Sequence, residues 1–323
     1  MNLAAGEVAI LTGMTHASTS APGAAYSLDH PSSRIRGTER PDARRRRLHW
    51  CLRLGAAACF IGHGAFGIIT KAAWVPYFGL VGIPSDTAHA LMPVVGAVDI
   101  VMGIAVLISP RPVVLLYMVV WALWTALLRP LTGESVFETL ERAGNYGVPL
   151  AMLLMLGWPR SLGGWLRASD GIPADSLTLR RLLQWTTAVL LFGHGALAAI
   201  TAKPLFATHY AALGLPGTIA PYVGWLEMGV AAAALFTPLP ALFIAIAAWK
   251  IATEALFPVT GAPMWEFIER AGSYAAPIGV ALLAGPRPRT AGWGPTPITP
   301  NHIEGHQNDA RTARARRRRE RTA

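Results

Sequence analysis

Residues 121–149, Trp121-Ala-Leu-Trp-Thr-Ala-Leu-Leu-Arg-Pro-Leu-Thr-Gly-Glu-Ser-Val-Phe-Glu-Thr-Leu-Glu-Arg-Ala-Gly-Asn-Tyr-Gly-Val-Pro149, return 128 residues later, as Trp249-Lys-Ile-Ala-Thr-Glu-Ala-Leu-Phe-Pro-Val-Thr-Gly-Ala-Pro-Met-Trp-Glu-Phe-Ile-Glu-Arg-Ala-Gly-Ser-Tyr-Ala-Ala-Pro277. Trp121, Thr125, Pro130, Thr132-Gly133, Glu138, Glu141-Arg142-Ala143-Gly144, Tyr146 and Pro149 all meet their equals. Upstream, Gly62-His63-Gly64-Ala65 returns as Gly193-His194-Gly195-Ala196, and Val95-Gly96 with Asp99 returns as Val223-Gly224 with Glu227. Two copies of one unit in tandem are the reading that explains these offsets.

The surroundings say what solvent the unit folds in. The 323 residues are 53% hydrophobic and 14% charged, with mean hydropathy +0.39, too apolar and too charge-poor for an ordinary soluble domain. A bilayer core takes about 20 apolar residues per helix. Eight stretches come near this, at about 50–70, 88–108, 112–129, 145–158, 182–202, 219–236, 239–257 and 271–285. Each copy then has four spans, so both enter from the same side as parallel repeats. The expected fold is an all-α integral membrane protein, with eight transmembrane helices in two four-helix bundles side by side. Its expected parts are a disordered basic tail over 1–48, copies over 49–160 and 182–289, a cytoplasmic linker over 161–181 and a disordered Arg-rich tail over 290–323.

Of the 28 Lys and Arg, sixteen stand in residues 1–48 and 286–323, so the net charge of +10 belongs to the tails. Together with Arg111, Arg160 and the linker's Arg167, Arg180 and Arg181, they place both termini in the cytoplasm of a multi-pass cell-membrane protein. The runs Arg34 to Arg47 and Arg314 to Arg321 read as membrane flanks that meet anionic lipid headgroups, and nucleic acid is not an expected partner. Residues 1–33 read as a disordered leader or as sequence ahead of the true start. Cys51 and Cys59 make neither a disulfide framework nor a metal ligand set. Phosphate loops, dinucleotide fingerprints and zinc motifs are absent from the sequence.

Ionisable side chains inside a span are costly, and they have partners or functions. His63, Asp99, His194 and Glu227 are the intramembrane candidates, each His expected near the acid of its own copy or facing the other His. Such a pair can relay a proton, or fix an imidazole tautomer for haem ligation by His63 and His194; it can equally be a tertiary bond between two helices, with the flanking glycines allowing close packing. Between the third and fourth spans, Thr132-Gly133 reads as a helix start and Glu138 stands four residues before Arg142, which stands four before Tyr146. Glu266, Arg270 and Tyr274 repeat the face. With Thr125 and Arg129 these residues form the expected outer mouth of a site, or else a solvated salt-bridged helix. Pro149 and Pro277 are expected to kink the helices that follow. Trp50, Trp74, Tyr77, Trp158 and Trp165 read as interfacial anchors. The copies differ where Arg129 becomes Phe257 and Ala122 becomes Lys250.

A basic residue opening the first helix of each copy (Arg53, Arg181), a mid-helix Gly and a Lys at the outer end (Lys71, Lys203) resemble the DoxX-like membrane proteins, over residues 49–160 and 180–289. That family includes small subunits of membrane oxidoreductases. The resemblance implies a redox-associated membrane subunit that binds haem or a quinone and works with a redox partner subunit. A carrier for a small solute, proton-coupled through the His–acid pairs, and a non-catalytic membrane scaffold are the alternatives.

Overall fold

No strand occurs among residues 41–168 and 176–284, the residues that the computed structural model describes. The leader, the run Arg314 to Arg321 and the centre of the linker lie outside them. The first half holds α1 (Pro41–Ile68), α2 (Val75–Gly79), α3 (Ser85–Ile108), α4 (Pro112–Leu131), α5 (Phe137–Glu141), α6 (Ala143–Leu156) and α7 (Leu162–Leu166). The second holds α8 (Ser176–Ala199), α9 (Pro204–Ala212), α10 (Ala220–Phe236), α11 (Pro240–Glu254), α12 (Leu256–Val259), α13 (Met264–Glu269) and α14 (Ala271–Ala284). The run Arg44 to Arg47, expected in the tail, is helical and continuous with the apolar part of α1.

Six helical stretches are long and apolar enough to cross a membrane: α1, α3, α4, α8, Gly217–Phe236 and Pro240–Val259. α1 and α8 are the most buried, whereas the spans of α3, α4 and α10 are only 28% buried. Val94, Val101 and Ile108 are more than half exposed on α3, as are Tyr222 and Leu226 on α10. An outward apolar face of this kind suits lipid contact. The fourth helix of each half, α6 or α14, has 14 residues, a rise of about 21 Å. That is less than the bilayer core of about 30 Å.

Two separate bundles do not describe the packing. One apolar core takes Leu52 and Phe60 from α1, Met152 from α6, Leu183 and Leu191 from α8, Phe243 from α11 and Val280 from α14. α1 packs on α13 and α14 of the other half, and α8 packs on α5 and α6. Glycine permits the exchange. A Cβ on Gly62 would stand 2.8 Å from the Glu269 Cα, and one on Gly193 would stand 2.7 Å from the Leu140 carbonyl carbon. α6 and α14 cross where a Cβ on Gly144 would come within 2.5 Å of the Gly272 carbonyl carbon. Backbone faces backbone there, so no rotamer can relieve a clash. Gly144→Ala is expected to cost about 1–3 kcal/mol through forced separation of the helices, read by unfolding in detergent. A cost under about 0.5 kcal/mol would show that the crossing can yield.

One local expectation is corrected. Thr132 ends α4, its hydroxyl donating to the Leu128 and Arg129 carbonyls, and Gly133 follows with φ +91°. Only glycine takes that left-handed turn without strain, so the pair stops one helix instead of starting the next. The interruption before the last span falls at Arg142 and Arg270, between α5 and α6 and between α13 and α14. Pro149 and Pro277 lie inside α6 and α14.

Candidate functional site

The Gly-His-Gly motif works one residue at a time. Gly62 admits the Glu269 backbone, while Gly64 crosses Gly96, where a Cβ would stand 2.5 Å from the Gly96 carbonyl oxygen. With α1 and α3 this close, His63 Nδ1 lies 2.8 Å from Asp99 Oδ2. Trp121 Nε1 donates to the same oxygen at 3.3 Å, and Trp74 stacks on the imidazole at 4.5 Å between centroids. Asp99 is fully buried, and its Oδ1 has no hydrogen-bond partner among the described residues.

The second half repeats the arrangement with one more methylene. His194 Nδ1 lies 2.6 Å from Glu227 Oε2, and Trp249 Nε1 donates to Oε1 at 2.6 Å. The longer side chain offers a separate oxygen to each donor, where Asp99 offers one oxygen to both. Phe206 meets the His194 ring edge-on at 4.9 Å.

The Glu–Arg faces join across the halves. Glu138 takes Arg142 at 2.8 Å on Oε2 and Lys203 of the other half at 2.5 Å on Oε1. In mirror fashion, Glu266 takes Arg270 at 2.5 Å and Lys71 at 2.5 Å. Glu141 lies 3.0 Å from Arg142 and 4.0 Å from Arg270, which links the two sets. Arg129 reaches Glu134 at 3.0 Å and Glu138 at 3.8 Å. Tyr146 and Tyr274 stand outside the network, since their hydroxyls donate to the carbonyls of Thr139 and Phe267.

These are not solvated surface pairs: the Arg142 side chain is 13% exposed and that of Glu138 4%. Exposed pairs contribute under about 1 kcal/mol, whereas removing one partner of a buried pair costs about 3–5 kcal/mol. Arg142→Gln is therefore expected to cost about 3 kcal/mol in thermal unfolding, and a double-mutant cycle with Glu138→Gln to give a coupling energy clearly above zero. Zero coupling would return the pair to the surface class.

At the edge of the network, outside the spans, Tyr77 donates to Glu134 at 2.5 Å. Burial, with help from that carboxylate and against Arg129, pushes the Tyr77 phenol up to about 12. Burial alone would raise the Glu134 carboxyl, but Tyr77 and Arg129 outweigh it and hold it below its ordinary value.

In the first half these residues surround a cavity of about 240 Å³. His63, Trp121, Thr125, Arg129 and Arg142 stand in its wall with Asn145 and, from the other half, Glu269. Trp74 and Tyr77, read as interfacial anchors, line it as well. The matching positions of the second half are packed. Lys250, where the first half has Ala122, lies 2.6 Å from Glu254, and Glu254 lies 2.8 Å from Arg270. Phe257, where the first half has Arg129, is covered by Arg270 at 4.0 Å and meets His209 at 4.7 Å. Burial holds His209 below its ordinary pKa.

Ligand atoms of Glu141, His194 and Glu254 come within 4.8 Å of one another, a set that could hold a metal ion. Lys250 and Arg270 already meet Glu254, so these carboxylates have their cations. A hydrogen bond from Nδ1 leaves Nε2 able to ligate, but the cavity has His63 and not His194 in its wall. A haem held by His63 and His194 does not fit this arrangement. No known family model, curated protein or solved structure matches the chain.

Proposed function

We propose that the first-half cavity binds a small ring compound of the quinone class, and that the chain is the membrane subunit of a redox system. The observation that carries this reading is the wall of the cavity. Its polar groups, His63, Asn145 and Glu269, lie deep among Phe60, Trp74 and Trp121, while Val81 and Trp124 on the same wall are exposed apolar residues. A cavity that reaches an apolar surface suits a ligand arriving from the lipid, and buried polar groups then fix its orientation. When bound, a quinone supplies reversible two-electron, two-proton chemistry. The chain's own part is to hold the ring, exclude water and present His63, with its tautomer fixed by Asp99.

The topology proposed with it has eight crossings. α5 with α6, and α13 with α14, complete the two short spans as interrupted helices, and both termini lie in the cytoplasm of the cell membrane. Arg-rich segments facing anionic headgroups, a redox partner subunit and kinship with the DoxX-like proteins belong to the same proposal. Reporter fusions after Arg167 and Ala323 should read inside, and those near Asp86 and Gly217 outside. An outside reading at either of the first two sites contradicts it.

A second reading has its own support. Interrupted helices at matching positions of two halves are a pointer to the binding site of a carrier, and α5–α6 and α13–α14 are such a pair. Titration in lipid nanodiscs and flux into liposomes separate the two. The quinone reading expects saturable quenching of tryptophan emission by a short-chain benzoquinone, at least about tenfold weaker in His63→Ala. Quenching that never saturates and ignores His63 would contradict it. Solute flux without quinone binding would favour the carrier.

A further inference from the structure

We propose that the cavity prefers its ring ligand in the reduced, dihydroxy form, with Glu269 and His63 accepting hydrogen bonds from the two hydroxyls. This rests on the quinone reading and adds a residue and a redox preference to it.

Glu269 is 6% exposed, lines the cavity and has no hydrogen bond or ion pair among the described residues. Its equivalent in the first half, Glu141, is held by Arg142. The difference is one of commitment. Arg142 gives its guanidinium to Glu138 and Glu141, and Arg270 gives its own to Glu254 and Glu266. Neither guanidinium makes a hydrogen bond or ion pair to Glu269 among the described residues, and a buried carboxylate without a bonded donor is expensive. A ligand hydroxyl would remove that cost.

His63 faces the same way chemically. In the tautomer that donates from Nδ1 to the Asp99 carboxylate, the lone pair of the imidazole stands on Nε2. Meanwhile several donors of the wall are engaged. The Trp121 indole donates to Asp99, the Thr125 hydroxyl to the Ala122 carbonyl, and Arg129 to Glu134. The Asn145 side chain, without a partner among the described residues, can either donate or accept. Glu269 and Nε2 of His63 are acceptors that two hydroxyls match and two carbonyls do not, and a hydroxyl oxygen can still accept from the remaining N–H groups of Arg129 and Arg142.

An ammonium would also donate, but charge argues against it. Lys71, Arg129, Arg142, Lys203, Lys250 and Arg270 form one network with Glu134, Glu138, Glu141, Glu254 and Glu266. Six cations face five carboxylates, and Glu269 beside them makes the balance even. A cationic ligand would add a net charge next to Arg129 and Arg142, in surroundings where charge is poorly screened. A neutral ring with hydroxyls adds none.

Anaerobic titration calorimetry on the full chain in nanodiscs, with a decyl-substituted benzoquinone, its two-electron-reduced hydroquinone, and phenethylamine as a competing amine, tests this. The wild-type protein is expected to bind the hydroquinone at least about tenfold tighter than the quinone, the worth of one well-placed hydrogen bond. Glu269→Gln, which keeps the shape and adds a donor, should bring the two forms within about threefold. Equal or tighter binding of the quinone by the wild type overturns the preference, and needs no variant. An unchanged ratio in Glu269→Gln overturns the role of Glu269, and displacement by the amine at lower concentration than by the hydroquinone overturns the neutral ligand. Saturable binding of neither ring form overturns the quinone reading itself.

Discussion

Lys250→Met is expected to lower stability by about 3 kcal/mol, the low end of the cost of breaking a buried ion pair. Lys250 and Glu254 are each 1% exposed, four residues apart on α11 and 2.6 Å from each other. Methionine fills much the same volume, so the lost charge dominates the effect. Arg270, 2.8 Å from Glu254, keeps the stranded carboxylate from being wholly bare and sets the figure at the low end. Lys250→Met with Glu254→Leu should recover more than half of the loss, because no unpaired carboxylate then remains and Arg270 still has Glu266. Detergent unfolding of both variants reads this directly. A single substitution costing under about 1 kcal/mol would mean that water reaches the pair.

The second large effect concerns binding. Ala122 lines the cavity, and its equivalent is Lys250. Ala122→Lys with Ala126→Glu carries the second half's ion pair into the first, and should weaken binding of the ring ligand at least about 100-fold, near 2.7 kcal/mol. Ala122→Leu fills the same space without charge and should weaken binding in the same direction. If the uncharged filler leaves affinity unchanged while the protein keeps its unfolding temperature, the ligand does not sit in this cavity.

Much of this was legible before the structure, for reasons that particular residues make plain. The eight apolar stretches follow from hydropathy, which is a local property, and a helix falls on each, with α1 and α8 beginning earlier, at Pro41 and Ser176. His63 with Asp99 and His194 with Glu227 could be paired because an ionisable group in a span needs a partner and the duplication sets Asp99 and Glu227 at matching places. What the sequence did not disclose is which half supplies each partner. The offset of 128 equates Glu141 with Glu269 but says nothing of whether either faces its own His or the other copy's. Glu269 in the first cavity, Lys203 on Glu138 and Lys71 on Glu266 are contacts between halves, and no periodicity encodes them. Lys71 and Lys203 did leave a signal, recurring at the outer end of the first helix, and the four-residue spacing of Lys250 and Glu254 left another. Thr132-Gly133 was misread because the same two residues suit a helix start and a helix stop, and only the positive φ of Gly133 decides. Two bundles side by side failed because Gly62, Gly193, Gly144 and Gly272 let the halves approach backbone to backbone.

The central claim is that one half of a duplicated membrane protein holds a ring-binding cavity while the other half has packed its own. Photolabelling with an azido-substituted benzoquinone in nanodiscs, followed by mapping of the labelled peptides, tests it most directly. The expected result is one label per chain, confined to Cys59–Phe78, Trp121–Arg129 and the segment around Glu269, and suppressed by excess unlabelled hydroquinone. Labelling of His194–Tyr210 or Trp249–Phe257 to an equal extent, or labelling spread over the outward faces of α3 and α10 that excess ligand does not suppress, would contradict it.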